Sequence, residues 1–183
     1  SLGISMSPTA METIWGSNLK WIFMFLPLVM SFALIGLINK MTAFAAKCFL
    51  TAFAAAMGAS LSSIFAIFTS ASIANVFFVS AATFGAASIY GYTTKKDLTK
   101  FGSFLIMGAM GLVIAGLVNL FLQSSAFAFA ISCLGVLIFT GLTAYDTQEI
   151  KSHYDYTEGD ERDKAGVIGA LQLYLDFINI FVS

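Results

Sequence analysis

The chain has 183 residues, 58% of them hydrophobic and only 10% charged, with a net charge of −1 and a mean hydropathy of +0.88. A soluble fold carries about 25% charged residues, and one of this length could not bury so much apolar surface, so a water-soluble domain is excluded. The balanced charge, with no basic patch interleaved with aromatics, excludes a nucleic-acid partner and leaves the lipid bilayer as the implied surroundings.

Ser1 stands where an initiator Met would be, and Ser1 to Gly16 mixes apolar residues with Gly3 and Pro8, like the tail of an earlier helix and a loop. It has no charged n-region, so it does not read as a signal peptide; the start reads as a cut. Six uncharged runs then follow that are long enough to cross about 30 Å of hydrocarbon. They cover Trp21 to Asn39, Phe49 to Ser70, Ile73 to Tyr92, Leu98 to Leu122, Ala126 to Tyr145 and Ala165 to Val182. Barrel strands would alternate strictly and these do not, so helices are predicted. The fold class is an all-α integral membrane protein, a single polytopic domain over residues 1–183.

The connections agree with that division. Lys40 and Lys47 flank the first gap, Lys95, Lys96 and Lys100 fill the third, and Lys151, Arg162 and Lys164 fall in the fifth. The second and fourth gaps carry no charge. Alternate basic loops put the Lys-rich ends in the cytoplasm and the beginning of the chain on the far side. The short loops and compact length point to a bacterial inner membrane. Lys151 to Lys164, with Asp155, Glu158, Asp160, Glu161 and Asp163, reads as a solvated loop, and it lacks the ligand spacing of an EF-hand.

Small residues recur at helix-packing intervals, Ala54, Gly58 and Ser62 in the second span and Gly108, Gly111 and Ala115 in the fourth, which is sufficient for compact bundle packing. Cys48 and Cys133 lie in or beside apolar segments without metal-ligand spacing and are expected to be buried, inert thiols. His153 is the only histidine; it is expected in a solvated loop, with proton sensing as its other reading. No phosphate loop or Ser-His-Asp set can be assembled, and no cofactor is implied.

The last two spans hold the informative residues. Asp146 and Asp176 lie in stretches that otherwise read as membrane helix, where a carboxylate costs roughly 2.5 to 3.5 kcal/mol on insertion scales and so marks function. Gln172, Asp176, Asn179 and Ser183 recur every three or four residues and share one helix face, with only apolar residues between them. Such a stripe faces the bundle interior or water, which makes the last helix a candidate central element. The preceding span offers Thr140, Thr143 and Thr147 beside Asp146. If the two helices pack antiparallel, their acidic faces meet and share a proton, because both carboxyls cannot easily ionise together. Alternatively, each carboxyl bonds only to its own neighbours.

Gly141-Leu142-Thr143-Ala144-Tyr145-Asp146-Thr147-Gln148-Glu149-Ile150-Lys151 resembles the sixth-helix signature of the Bax inhibitor family. Leu173-Tyr174-Leu175-Asp176-Phe177-Ile178-Asn179-Ile180-Phe181 resembles its seventh-helix signature. Weaker similarity, including Ser88-Ile89-Tyr90-Gly91-Tyr92-Thr93-Thr94-Lys95-Lys96-Asp97-Leu98, runs from about Lys40 to the end. The resemblance implies a seven-helix bundle, six helices around a central last one, with the first helix missing here. It implies a pH-dependent calcium leak channel in which Asp146 and Asp176 are the gating pair and transient calcium ligands. It further implies a pore-lining polar face of Gln172, Asn179, Thr143 and Thr147, and a basic latch whose best match is Lys40, where the bacterial pattern has an arginine. Calcium and protons are then the ligands, and no catalysis is expected.

An intramembrane aspartyl protease is the rival, since it too places two aspartates on successive helices with Tyr before the first. Its second motif wants Gly-x-Gly-Asp and a later Pro-Ala-Leu. Here Tyr174-Leu175 precede Asp176, and the only prolines are Pro8 and Pro27. A regulatory membrane protein that acts through partners without conducting ions is the third reading.

Overall fold

The computed structural model describes residues 29–30, 32–61 and 69–183. The expected cut at Ser1 to Gly16, the beginning of the first expected span and Ser62 lie outside the described residues. The described residues fall into two compact units, one of those up to Asn75 with Glu158–Ile168 and one of Val76–Thr157 with Gly169–Ser183.

In the first unit, residues 32–37 are helical and end in a 3-10 turn, Ile38–Lys40. Thr42 then caps helix α1 (Ala43–Ser60), its hydroxyl accepting from Ala45 N at 3.2 Å. α1 begins six residues before the expected Phe49, and Lys47 lies inside it rather than beside a gap. The lysine is accommodated because its ammonium pairs with Asp163 at 2.7 Å, while Asp160 Oδ1 accepts from the backbone N–H of Ala43 at 3.2 Å. That carboxylate supplies one of the partners that the first turn of a helix lacks.

The second unit contains α2 (Ser70–Thr93) from Val76 on, α3 (Thr99–Leu122), α4 (Ser125–Tyr156) and α5 (Gly159–Val182) from Gly169 on. The turn from α3 to α4 is short: Gln123 takes a left-handed conformation (φ 49°), Asn119 Oδ1 accepts from Ser124 N, and Ser124 caps α4 through Phe127 N. α3 and α4 then pack along one another. Gly102 lies directly under the ring of Tyr145, and a methyl on Gly108 would come within 3.0 Å of Ile138. Gly91 of α2 backs onto the main chain of Ala144. Ala87, Leu98 and Ala144 form a buried cluster against which Tyr145 packs. Between α2 and α5 the rings of Phe77, Phe84, Phe177 and Phe181 meet, Phe84 and Phe177 edge-on at 5.6 Å.

Four expectations need correction. Lys151 to Lys164 is not a loop: α4 continues through Tyr156 and α5 starts at Gly159, with only Thr157 and Glu158 between them. Nothing in the sequence from Thr147 to Tyr156 breaks a helix, and Gly159 (φ 59°) supplies the reversal. At 32 residues α4 is about 48 Å long, so its last turns project beyond the hydrocarbon. His153 accordingly sits in the last turn of α4, 3.9 Å from Glu149, rather than in a loop. Cys48 and Cys133 are exposed, not buried; in a membrane helix an apolar neighbourhood is as compatible with the lipid face as with the interior. The small-residue stripe in α3 is used only in part, since a methyl at Gly111 would meet nothing within 4 Å.

Among the described residues five helices are long and apolar enough to cross a membrane, and α5 is the most buried of them. α3 is the least buried, with Phe104, Met107, Met110 and Phe121 outward. Those side chains suit contact with acyl chains, not water.

Candidate functional site

The register between α4 and α5 is set at two glycines. A methyl on Gly169 would come within 2.6 Å of Ile150 Cγ1, and one on Gly135 within 2.7 Å of Ser183 Oγ. Each step up α4 is therefore matched by a step down α5. This antiparallel seam brings Thr143 level with Asp176, Thr147 level with Gln172, and Thr140 level with Asn179.

Asp146 and Asp176 face one another as neighbours across that seam, with Thr143 beside Asp176. Asp146 is 8% exposed, Asp176 5% and Thr143 fully buried. A hydrogen bond between two carboxyls requires a proton on one of them, so two acids this close can share one proton. The Thr143 hydroxyl donates to Phe139 O at 2.8 Å in its own helix. Asp176 Oδ2 and Thr140 Oγ1 are buried without a hydrogen-bond partner among the described residues, which leaves oxygen lone pairs facing the interior.

The remaining sequence-predicted residues are placed as follows. Thr147 is half-buried and donates to Thr143 O at 2.7 Å. Gln172 and Asn179 share the Asp176 face and are half-buried, Asn179 donating to Leu175 O at 2.8 Å. Lys40 ends the 3-10 turn of the first unit, exposed and without an ion pair among the described residues. No group of three or more His, Cys, Asp or Glu side chains assembles among the described residues. The pair brings together two carboxyl groups, fewer than a closed divalent-cation cage requires.

At the Lys-rich end an open pocket of about 450 Å³ lies between the α2–α3 connection and α4, with Lys95, Lys96, Asp97, Gln148, Glu149 and His153 in its lining. Asp97 is held below the usual carboxylate range by the hydroxyl and then the backbone N–H of Thr99. A second, more apolar cleft of about 420 Å³ has Thr147, Ile150 and Leu173 in its wall, with Tyr92 and Lys151 beside them. Lys151 donates to Tyr92 O at 3.0 Å and lies 4.5 Å over its ring.

Sequence reasoning missed Gln148 as a structural residue. Its Oε1 accepts from Leu98 N at 3.0 Å and its Nε2 donates to Lys96 O at 2.8 Å. The only signal was an uncharged amide inside an otherwise charged helix end.

Comparison with known proteins gives a consistent result. The family model described as "Inhibitor of apoptosis-promoting Bax1" matches residues 1–183. A protein of Borreliella burgdorferi is 48% identical over 153 residues, covering 82% of this chain and 66% of the relative. A Caulobacter vibrioides protein is 55% identical over 128 residues, covering 68% and 51%. The inner membrane protein YbhL of Escherichia coli is 45% identical over 158 residues, covering 85% and 68%. The chain spans about half to two thirds of the length of these relatives. With five apolar spans among its described residues, it is a multi-pass membrane protein.

Proposed function

The chain belongs to the Bax inhibitor family, and from that membership together with the buried Asp146–Asp176 contact we propose that it is a pH-dependent calcium leak channel of the bacterial inner membrane. The observation that carries the reading is the contact itself: two acids on successive spans, each almost fully buried, facing one another across a helix seam. With one shared proton, a charge-assisted hydrogen bond ties α4 to α5 and closes the Lys-rich, cytoplasmic end. When the proton leaves, two carboxylates in a low-dielectric site repel, the seam loosens, and hard oxygen ligands become available to calcium as the transported ion. Gating and ion attraction then come from the same two groups. Thr143, Thr147, Gln172 and Asn179 supply the polar face along which the ion passes, in a bundle of seven helices with α5 at its centre.

This reading assigns the protein no catalysis. The glycines that would let a substrate backbone reach Asp176 are replaced by Leu173 and Leu175. The test is calcium flux with purified protein in liposomes that enclose a calcium-sensitive dye. Flux low at acidic pH and rising towards alkaline pH is expected. Flux no greater than in empty liposomes at any pH would refute the channel, and release of fragments from a single-span peptide would favour the protease.

A further inference from the structure

Asp146 can meet Asp176 only if α4 is held still, and the ties that hold it run to the α2–α3 connection. We infer that Gln148 is a positioning residue of the carboxyl pair: its amide, bound through both ends to that connection, makes α4 the fixed side of the gate and α5 the side that moves. This rests on the channel reading for its effect on flux, but the clamp and the identity of the moving helix can be measured without it.

Leu98 is the residue that caps α3, and its side chain makes no capping bond. Its backbone N–H is therefore one of the donors that a helix start leaves without a partner. Gln148 reaches it from α4 at 3.0 Å and at the same time donates to the carbonyl of Lys96 at 2.8 Å. No other side-chain chemistry of that length does both: an ionised glutamate only accepts, a lysine only donates, and leucine does neither. Leu98 itself is buried with Ala87 and Ala144, so the clamp grips a packed point and not a loose loop. One turn on, Lys151 bonds to Tyr92 O at the end of α2. One turn back, Gly91 and Gly102 let the α2 and α3 backbones reach Ala144 and Tyr145. Asp146 lies in the middle of this stretch.

The tie from α4 to α5 at the same level is of a different kind. The carboxyl pair holds only while it shares a proton, whereas amide-to-backbone bonds are indifferent to pH in the working range. When the proton leaves, the bond that fails is on the α5 side and the bonds that persist are on the α2–α3 side. The titratable and charged groups around Gln148, namely Lys95, Lys96 and Asp97 from the connection and Tyr145, Glu149 and His153 from α4, bear on the pair in the parent and in Gln148 variants alike.

The experiment uses the full chain in liposomes, with Cys48 and Cys133 replaced by Ser, and spin labels at exposed positions: Lys100 on α3, Ser152 on α4 and Ala170 on α5. Between acidic and alkaline pH the Lys100–Ser152 distance is expected to stay constant and the Ser152–Ala170 distance to lengthen. Gln148→Leu should broaden the Lys100–Ser152 distribution, speed amide exchange at Leu98 by about tenfold or more, and raise closed-state leak at acidic pH about fivefold with the alkaline maximum unchanged. Gln148→Glu, which keeps the bond from Leu98 and loses the one to Lys96, should fall between the two. A merely structural role would lower folded protein and both leak limits together. A pH-dependent Lys100–Ser152 distance, or Leu98 exchange unchanged in Gln148→Leu, would overturn the inference. An absence of flux in the parent with the distances as expected would overturn the channel and leave the clamp standing.

Discussion

Thr143→Val removes one hydroxyl at the most enclosed point of the α4–α5 seam while keeping nearly the same shape. In the closed arrangement that hydroxyl has its proton on Phe139 O at 2.8 Å, an exchangeable bond within its own helix. When the proton of the proposed shared bond leaves the pair, the hydroxyl, which lies beside Asp176, can turn its hydrogen to that carboxylate. A bond to a charged group contributes roughly 1.5 to 3 kcal/mol against about 0.5 to 1.5 for a neutral one, so the exchange stabilises the ionised pair by about 1 to 1.5 kcal/mol. At 1.36 kcal/mol per pH unit this corresponds to about one unit. The sign follows: without the hydroxyl the ionised, open form loses support, so a higher pH is needed to open. The midpoint of calcium leak in Thr143→Val vesicles should therefore move about one unit towards alkaline pH, and Thr143→Ser should stay at the parent value. An unchanged midpoint, or a move towards acidic pH, would show that Thr143 does not support the ionised pair.

Asp176→Asn keeps the side-chain shape but removes one of the two acids, so leak should lose the steep dependence of up to about tenfold per pH unit that one shared proton allows; a parent-like pH profile would place the sensor elsewhere, with His153 next to test. If Lys40 latches the pair, Lys40→Met should raise leak at neutral pH and Lys40→Arg should preserve closure, whereas equal flux in Lys40→Met and parent, with normal insertion, would rule the latch out. Gly91→Ala drives a methyl into the main chain of Ala144, which cannot rotate away, so a loss of about 1 to 3 kcal/mol is expected. It should be visible as a lower Tm in detergent, and an unshifted Tm would mean that α2 slides freely at this crossing.

The acid pair was legible because helix periodicity is a local property. Gln172, Asp176 and Asn179 declare one face by spacing alone, and Thr143 beside Asp146 declares the facing one. The helix ends are less legible because a charge in an apolar run reads as a stop signal. Lys47 cut short the expected second span, yet it is held inside α1 by Asp163, 116 positions away. Lys151 stands where the sequence predicts a loop, yet its ammonium lies over the Tyr92 ring and α4 continues past it. In each case the charge is satisfied by a partner remote in sequence, which periodicity cannot report. Gln148 belongs to the same class, since its two backbone partners lie 50 and 52 positions earlier.

The cysteines differ from expectation for another reason, and it bears on how the molecule is built. In water, an apolar neighbourhood argues for the interior; in a bilayer the solvent is itself apolar, and that inference fails in both directions. Cys48 and Cys133 are outward, as are most of the large apolar side chains of α3, while the polar Thr143, Asp146 and Asp176 are buried. A span whose only polar residues form one stripe is thus sorted by its polar face, and α5, with the clearest stripe, is the most buried. The same sorting that positions α5 also brings an ionisable pair into a medium where its charge is costly. Removing a proton there changes the energy of the seam far more than it would at a wet surface, so the residues that decide which way α5 faces are also those able to decide whether it stays against α4.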